Sequence, residues 1–384
     1  MPDRGSVVSE SFLPYGRQEI GDADIKAVVE ALCSGWLTTG PRVSEFEKAF
    51  AAHCGASEGV AVNSGTAALH CAMRAAGIQP GDEVIVPAIT FAASANAAVY
   101  EGGVPVFADV EADTLLIDPA SVAQKITPKT KAIVAVDYAG QPADYDALRT
   151  LAKDRGIAII ADACHAPGAT YKGRATGTLG DISCFSFHPV KHLTTCEGGM
   201  AVTDDAAMAA HMRRFRNHGI DSDHRTRETS GAHAYDMAEL GYNYRLPDVQ
   251  CALGMAQLMR LSGWVAARQE IAGWYSEALA GVAEAVPFKT HKDRTHAHHL
   301  YVVKLAESID RDRVFTRLRA DGIGANVHYA PVHLHSYYQK RGYKGGIAPV
   351  AEAVSRQILT LPMFPAMTRA DVDRVVAALG RAAA

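Results

Sequence analysis

The chain has no unbroken apolar run long enough to cross a bilayer, and its first residues, MPDRGSVVSESF, lack the apolar core of a secretory signal. Both absences set the expectation of a cytoplasmic protein with no membrane partner. Cysteine is sparse and unpatterned: Cys33, Cys54, Cys71, Cys164, Cys184, Cys196 and Cys251 are odd in number and form no close pairs. Such spacing argues against a disulfide framework and suits reduced, mostly buried thiols. An excess of positive charge is also missing. Lys and Arg total 38 against 42 Asp and Glu, a formal net charge of −4, so nucleic acid is not an expected partner. Repeats and low-complexity tracts are absent. What remains is 384 residues of near-average composition, 48% hydrophobic and 21% charged, ample for a large cored domain and a smaller one.

The apolar residues that are present alternate between strand-like and helix-like runs. Helical patterns cover Asp22 to Gly35 and Pro41 to Gly55, after an irregular stretch over 9–20. Strands are predicted at Val60 to Val62, EVIVP at 83, VPVFADV at 104, KAIVAVDY at 131 and Ile157 to Ile160, with helices at TFAASANAAVYEGG and Ala143 to Arg155. This βα repetition predicts an α/β fold with a mostly parallel central sheet covered on both faces. Beyond Asp204 a helix leads into a polar, turn-rich stretch over 214–237 that reads as a loop. Pro247 to about Ala280 reads as one long helix weakened by Gly254 and Gly263. The remainder has a strand at HLYVVKL, a helix over Arg311 to Ala320, an extended stretch at GANVHYAPV and two closing helices, as in a small α+β domain. The expected division is 1–255 and 256–384.

Chemistry concentrates at FSFHPVKHLTTCEGGM, residues 185–200, where Lys191 stands between an apolar run and the turn Glu197-Gly198-Gly199. Most lysines are solvated surface cations, so Lys191 carries meaning only with partners. Asp162 closes the run that starts at Ile157, and the carboxyl end of a parallel strand faces the ligand crevice of an open α/β sheet. A fixed carboxylate there could keep a pyridine nitrogen protonated; read alone, Asp162 serves equally as a turn or cap residue. In AVNSGTAALHCAMRAAG, the turn Asn63-Ser64-Gly65 precedes a helix opening at Thr66. Its amides could cradle a phosphate, or the segment could be a plain cap. The histidine-rich HKDRTHAHH, residues 291–299, lacks metal-ligand spacing and reads as a solvated loop, so no metal is expected.

Phosphate turn, aspartate and lysine in this order resemble the fold-type I pyridoxal phosphate enzymes. NSGTAAL at 63, TFAASANA at 90, DACHAPGATYKG at 162, FSFHPVK at 185, EGG at 197 and GYNYRLPDVQCALG at 241 are similar to the sugar aminotransferases of the DegT/DnrJ/EryC1 family, over nearly the whole chain. The HPVK wording, VDYAGQPAD at 136 and NVHYAPVHLHSYY at 326 look most like the transaminases of pseudaminic acid biosynthesis.

The resemblance implies a fold-type I aminotransferase with pyridoxal 5′-phosphate as cofactor. It makes Lys191 the lysine that binds the cofactor's aldehyde and shuttles protons, and Asp162 the partner of the pyridine nitrogen. Phe91 would stack on the ring, His165 would lie near its face or phenolic oxygen, and Gly65, Thr66 and Ser186 would hold the phosphate. Asn243 would reach the phosphate from the other subunit of a homodimer. Tyr15, Gly35, Trp36, Leu37 and Thr38, with Asn326, Val327, His328 and Tyr329, would contact the substrate. The implied partners are L-glutamate and a UDP-linked 4-keto-6-deoxy-N-acetylhexosamine, aminated at C4 in a ping-pong sequence. Other nucleotide-linked 4-keto sugars are the alternative. A dehydratase on this fold would carry histidine at position 191, and a DNA-reading regulator would need a domain for which residues 1–60 leave too little chain.

Overall fold

The computed structural model describes residues 12–221 and 234–384; part of the polar stretch over 214–237 lies outside them. Strands β1 (Glu58–Val62), β2 (Glu83–Pro87), β3 (Val104–Ala108), β4 (Thr130–Val136) and β5 (Ala158–Asp162) are followed by a short hairpin, β6 (Thr170–Tyr171) and β7 (Arg174–Ala175). β8 (Ile182–Ser186) and β9 (Gly199–Thr203) complete a seven-stranded sheet in the order β1-β9-β8-β5-β4-β2-β3. Pairing is parallel from β3 through β8, and β9 runs antiparallel to both β8 and β1. The carboxyl ends of β1, β2, β4, β5 and β8 therefore open on one edge of the sheet.

Alternation along each strand sends successive side chains to opposite faces, and both faces are covered. Val84, Val86, Val134 and Ile160 pack on one side with the helix Gly65–Ala75, while Ile85, Ile133 and Ile159 pack on the other with Tyr145 and Leu148. Phe46 and Phe50 of the helix Pro41–His53 meet Phe185 and Phe187 there, with ring centroids 5.0–5.4 Å apart. A second apolar core gathers Leu13 with Ile271, Tyr275, Val303, Leu318, Val375 and Leu379 around a sheet of β10 (Ala285–Pro287), β11 (Tyr301–Leu305) and β12 (Ile358–Leu361). The seven cysteines are unpaired, four of them buried. Among the described residues no helix is long and apolar enough to cross a membrane.

Two expectations fail. The helix read from Pro247 to Ala280 is two helices, Asp248–Leu258 and Leu261–Leu279. Arg260 stands at the break, its guanidinium paired with buried Asp24 and lying 4.4 Å from the Trp264 ring centroid, while Gln257 donates to Asp24 Oδ2 at 2.9 Å. That tie to the helix Asp22–Cys33 takes precedence over helical continuity. Nor is Gly254 a weakness, because a Cβ there would lie 2.6–2.9 Å from the Phe46 ring. Gly254→Ala is accordingly expected to lower the stability by about 1–3 kcal/mol, through overpacking, in a denaturant titration. The second failure lies near the carboxyl terminus, where three helices (Ser336–Gln339, Pro349–Val354, Arg369–Ala383) and β12 replace two helices. All four β12 residues are buried, and so short an apolar run shows no period in the sequence.

Candidate active site

The edge where the strands end gathers most of the residues expected to carry chemistry. Ser64 caps the helix Gly65–Ala75, its Oγ accepting from Ala67 N at 3.1 Å. A Cβ at position 65 would sit 2.8 Å from Ser186 Cβ and 3.2 Å from its Oγ. The helix start thus meets the end of β8 at a distance only glycine permits, bringing Gly65, Thr66 and Ser186 together where a helix amino end attracts an anion.

Asp162 closes β5 and is 6% exposed. Its Oδ2 accepts from Ser94 Oγ at 2.6 Å, Ser94 in turn bonds Thr90 Oγ1 at 2.7 Å, and Oδ1 accepts from Cys164 N at 3.3 Å. No lysine, arginine or histidine forms an ion pair with it among the described residues. A buried carboxylate without a cation is costly unless a ligand supplies one.

Lys191 lies on the β8–β9 connection, where its amide bonds His188 O at 2.9 Å. Its Nζ is 3.4 Å from Nε2 of His299. Burial lowers the pKa of this amine, against the opposing charges of Cys164 and Asp162. The histidines around it are pushed down chiefly by burial and also by Lys191: His165, His192 and His299 well below the ordinary value, and His328 to about 3. The His165 ring lies 4.5 Å from that of His299, tilted by 39°, and its Nε2 is 3.2 Å from Tyr329 Oη. Phe91 begins the helix Ala92–Tyr100, is 59% exposed and lies 6.1 Å from the Tyr329 ring.

Several of the other expected residues come together here. Tyr15 meets His328 at 5.6 Å between ring centroids, and His328 Nδ1 pairs with Thr360 Oγ1 at 2.9 Å. Tyr138 donates to His328 O, tying Asn326 to Tyr329 against the carboxyl end of β4. Asn326 Nδ2 lies 3.4 Å from His328 Nε2, and Val327 N donates to Asn326 Oδ1 at 2.8 Å. Gly35, Trp36, Leu37 and Thr38 sit on an exposed loop held by Asp248, whose carboxylate accepts from Gly40 N at 2.7 Å and Arg42 N at 3.0 Å and whose main-chain N–H donates to Leu37 O at 3.0 Å. Asn243 is exposed, its carbonyl 3.4 Å from Asn63 Nδ2 beside the Gly65 turn.

The histidine-rich segment departs from its reading as a solvated loop. Lys292, Asp293 and Thr295 are exposed, but His299 is 5% exposed and touches Lys191, and His296 and His298 stack at 3.9 Å. Backbone bonds from Ala297 N to Gly140 O (2.9 Å) and Leu300 N to Ala139 O (3.2 Å) draw it inward. The adjoining strand HLYVVKL was the available signal. Ser94 was missed too, although Thr90 and Ser94 stand one helical turn apart, facing β5. Among the described residues no group of three or more His, Cys, Asp or Glu is placed to hold a metal ion.

The residues fit pyridoxal 5′-phosphate: a cradle that a Cβ at position 65 would fill, a buried carboxylate lacking a cation, and a buried amine. Gly65→Ala is expected to weaken its binding at least tenfold, about 1.4 kcal/mol, in a spectroscopic titration.

Residues 18–380 match the DegT/DnrJ/EryC1/StrS aminotransferase family. The spore coat polysaccharide biosynthesis protein SpsC of Bacillus subtilis (strain 168) is 43% identical over 374 residues, which cover 96% of each chain. Spr1654 from Streptococcus pneumoniae, described as a sugar aminotransferase, superimposes in its PMP form with a TM-score of 0.92 at 32% identity, covering 97% of this chain and 99% of that one. Its PLP form gives 0.90 at 31% identity, covering 97% and 98%. Helicobacter pylori PseC, an aminotransferase involved in the biosynthesis of pseudoaminic acid, gives 0.91 at 29% identity, covering 97% and 99%.

Proposed function

The chain belongs to the DegT/DnrJ/EryC1/StrS aminotransferase family, and we propose that it transfers the amine of L-glutamate to C4 of a UDP-linked 4-keto-6-deoxy-N-acetylhexosamine. At the coarser level it is a pyridoxal phosphate-dependent sugar aminotransferase of the fold-type I class. A buried lysine amine and a buried carboxylate that forms no ion pair, beside a glycine-made cradle, carry the coarser reading, and the likeness to PseC supports the finer one.

In this reading Lys191 binds the cofactor's aldehyde, Asp162 faces its ring nitrogen, Gly65, Thr66 and Ser186 take its phosphate, and Phe91 and His165 flank its ring. When bound, pyridoxal phosphate supplies an electron sink for the carbon that loses its proton. Lys191 Nζ, once free and neutral, takes that proton from the donor's α-carbon; burial favours the neutral form. Asp162 keeps a negative charge fixed by Ser94 where the ring nitrogen must stay protonated. Tyr329 holds His165 in place, its Oη 3.2 Å from His165 Nε2 and the two rings stacked 6.1 Å apart. Asn243 of each chain completes the neighbouring cradle in a homodimer, consistent with its exposure in one chain.

Tyr15, Gly35 to Thr38 and Asn326 to Tyr329 receive the nucleotide sugar, supported by the meeting of Tyr15 and His328 beside Tyr329. The likeness to PseC supports the pseudaminic acid precursor, UDP-2-acetamido-2,6-dideoxy-β-L-arabino-hex-4-ulose. A second reading, another nucleotide-linked 4-keto sugar destined for a surface polysaccharide, is favoured by the higher identity to SpsC. A panel of UDP- and dTDP-linked 4-keto sugars with glutamate, scored by product mass, separates them. The first reading expects a mass consistent with one added amine on the hexosamine substrate; amination of only other sugars would replace it with the second.

A further inference from the structure

We infer that His299 is a positioning residue for Lys191: its Nε2 accepts an N–H from the lysine amine and so turns the amine's lone pair away from itself, into the crevice in front of Asp162. This deepens the reading of Lys191 as the proton-moving base and rests on it.

The contact at 3.4 Å is the one hydrogen bond drawn to Lys191 Nζ among the described residues. A lysine side chain has four rotatable bonds, and a free amine with no fixed N–H samples many directions; an acceptor on one side confines it. His299 is suited to that task because its main chain is anchored on both sides. Arg268 Nη1 donates to the carbonyls of His298 (3.1 Å), His299 (3.4 Å) and Met363 (2.9 Å). Leu300 N and Ala297 N are tied to Ala139 O and Gly140 O on the loop after β4. The ring lies between His165 at 4.5 Å and His192 at 5.6 Å.

Two further observations bear on this contact. Nδ1 of His299 is buried without a partner, so Lys191 supplies the ring's only hydrogen bond among the described residues, and with Nε2 accepting the ring proton sits on Nδ1. Arg268 is 1% exposed and has no carboxylate partner among the described residues, an expensive placement for a guanidinium. Its donors go to main-chain oxygens at and beside His299. The groups facing the imidazole are Lys191 and His192 from the β8–β9 connection, His165 after β5, and Arg268 from the helix Leu261–Leu279. All are cationic or become so on protonation. Each opposes an imidazolium and leaves His299 as the neutral acceptor the role requires.

The test compares His299→Leu with His299→Gln in the holoenzyme, the glutamine keeping a carbonyl acceptor at similar reach. His299→Leu is expected to lower kcat roughly 10²-fold, with KM for glutamate within about threefold, and His299→Gln to recover at least tenfold of that loss. A readout independent of turnover is acylation of Lys191 in the pyridoxamine phosphate form, mapped by mass spectrometry against pH. Without the acceptor the ammonium is less stabilised, so the pH midpoint of labelling falls in the Leu variant and stays near wild type in the Gln variant. Equal losses in both variants, or an unchanged kcat and midpoint in the Leu variant, overturn the inference. If the Leu variant does not fold, His299→Asn, too short to reach Nζ, replaces it with the same two outcomes. Borohydride fixation keeps this separate from the parent reading. A wild-type protein in which the cofactor is fixed elsewhere than Lys191 refutes that reading, whereas fixation at Lys191 with an indifferent His299 refutes only this one.

Discussion

Lys191→Ala is expected to lower amino transfer by on the order of 10⁴-fold or more, because in the proposed mechanism one side chain both binds the cofactor's aldehyde and moves the substrate proton. The thermal midpoint is expected to stay level or rise, since the substitution removes an amine whose burial disfavours its charge. Loss of activity together with loss of stability would instead mark Lys191 as structural. The pH dependence follows from the direction of the amine's shift. Burial holds its pKa below the ordinary lysine value of 10.5, and the neutral amine is the active base. The rate of the glutamate half-reaction therefore rises with pH through that lowered pKa and then levels. A rate still climbing up to the ordinary lysine pKa would show that the amine is solvated during turnover.

Asp162→Asn should cost roughly 10²–10³-fold in kcat, since it removes the preorganised charge proposed to keep the ring nitrogen protonated. The side chain keeps its size and can still accept from Ser94, whose Oγ lies 2.6 Å from Oδ2. The fold should therefore survive and the cofactor should still bind, read by far-ultraviolet dichroism and by the visible band. Ser94→Ala, which deletes one donor and leaves the charge, is expected to cost about tenfold. If Asp162→Asn kept kcat within threefold of wild type, the carboxylate would be a turn residue and the electronic argument for this site would fall.

How much of this was legible depended on how far apart the causes lay along the chain. Lys191, Asp162 and the Gly65 turn were readable because each closes or closely follows an apolar strand run, and strand ends with small or polar turn residues are local patterns. His299 was not, because its partner is 108 residues away and its neighbours Lys292, Asp293 and Arg294 made the segment look solvated. The break at Arg260 was equally hidden, its cause being Asp24, 236 residues earlier. Gly254 was misread for the same reason: glycine in a helix is a defect when considered alone and a requirement once the Phe46 ring is against it.

By itself, then, the sequence determined the α/β alternation and singled out the three segments at strand ends that are proposed to carry the cofactor chemistry, because side-chain period and turn residues act over a few positions. Only the tertiary structure decided which polar groups went inside. It left Asp162 buried without a cation, set His299 against Lys191 and gave Arg268 three carbonyls in place of an acid. Burial and charge compensation depend on what packs around a group, and for these residues that surrounding is assembled from strands, loops and helices distant in the chain.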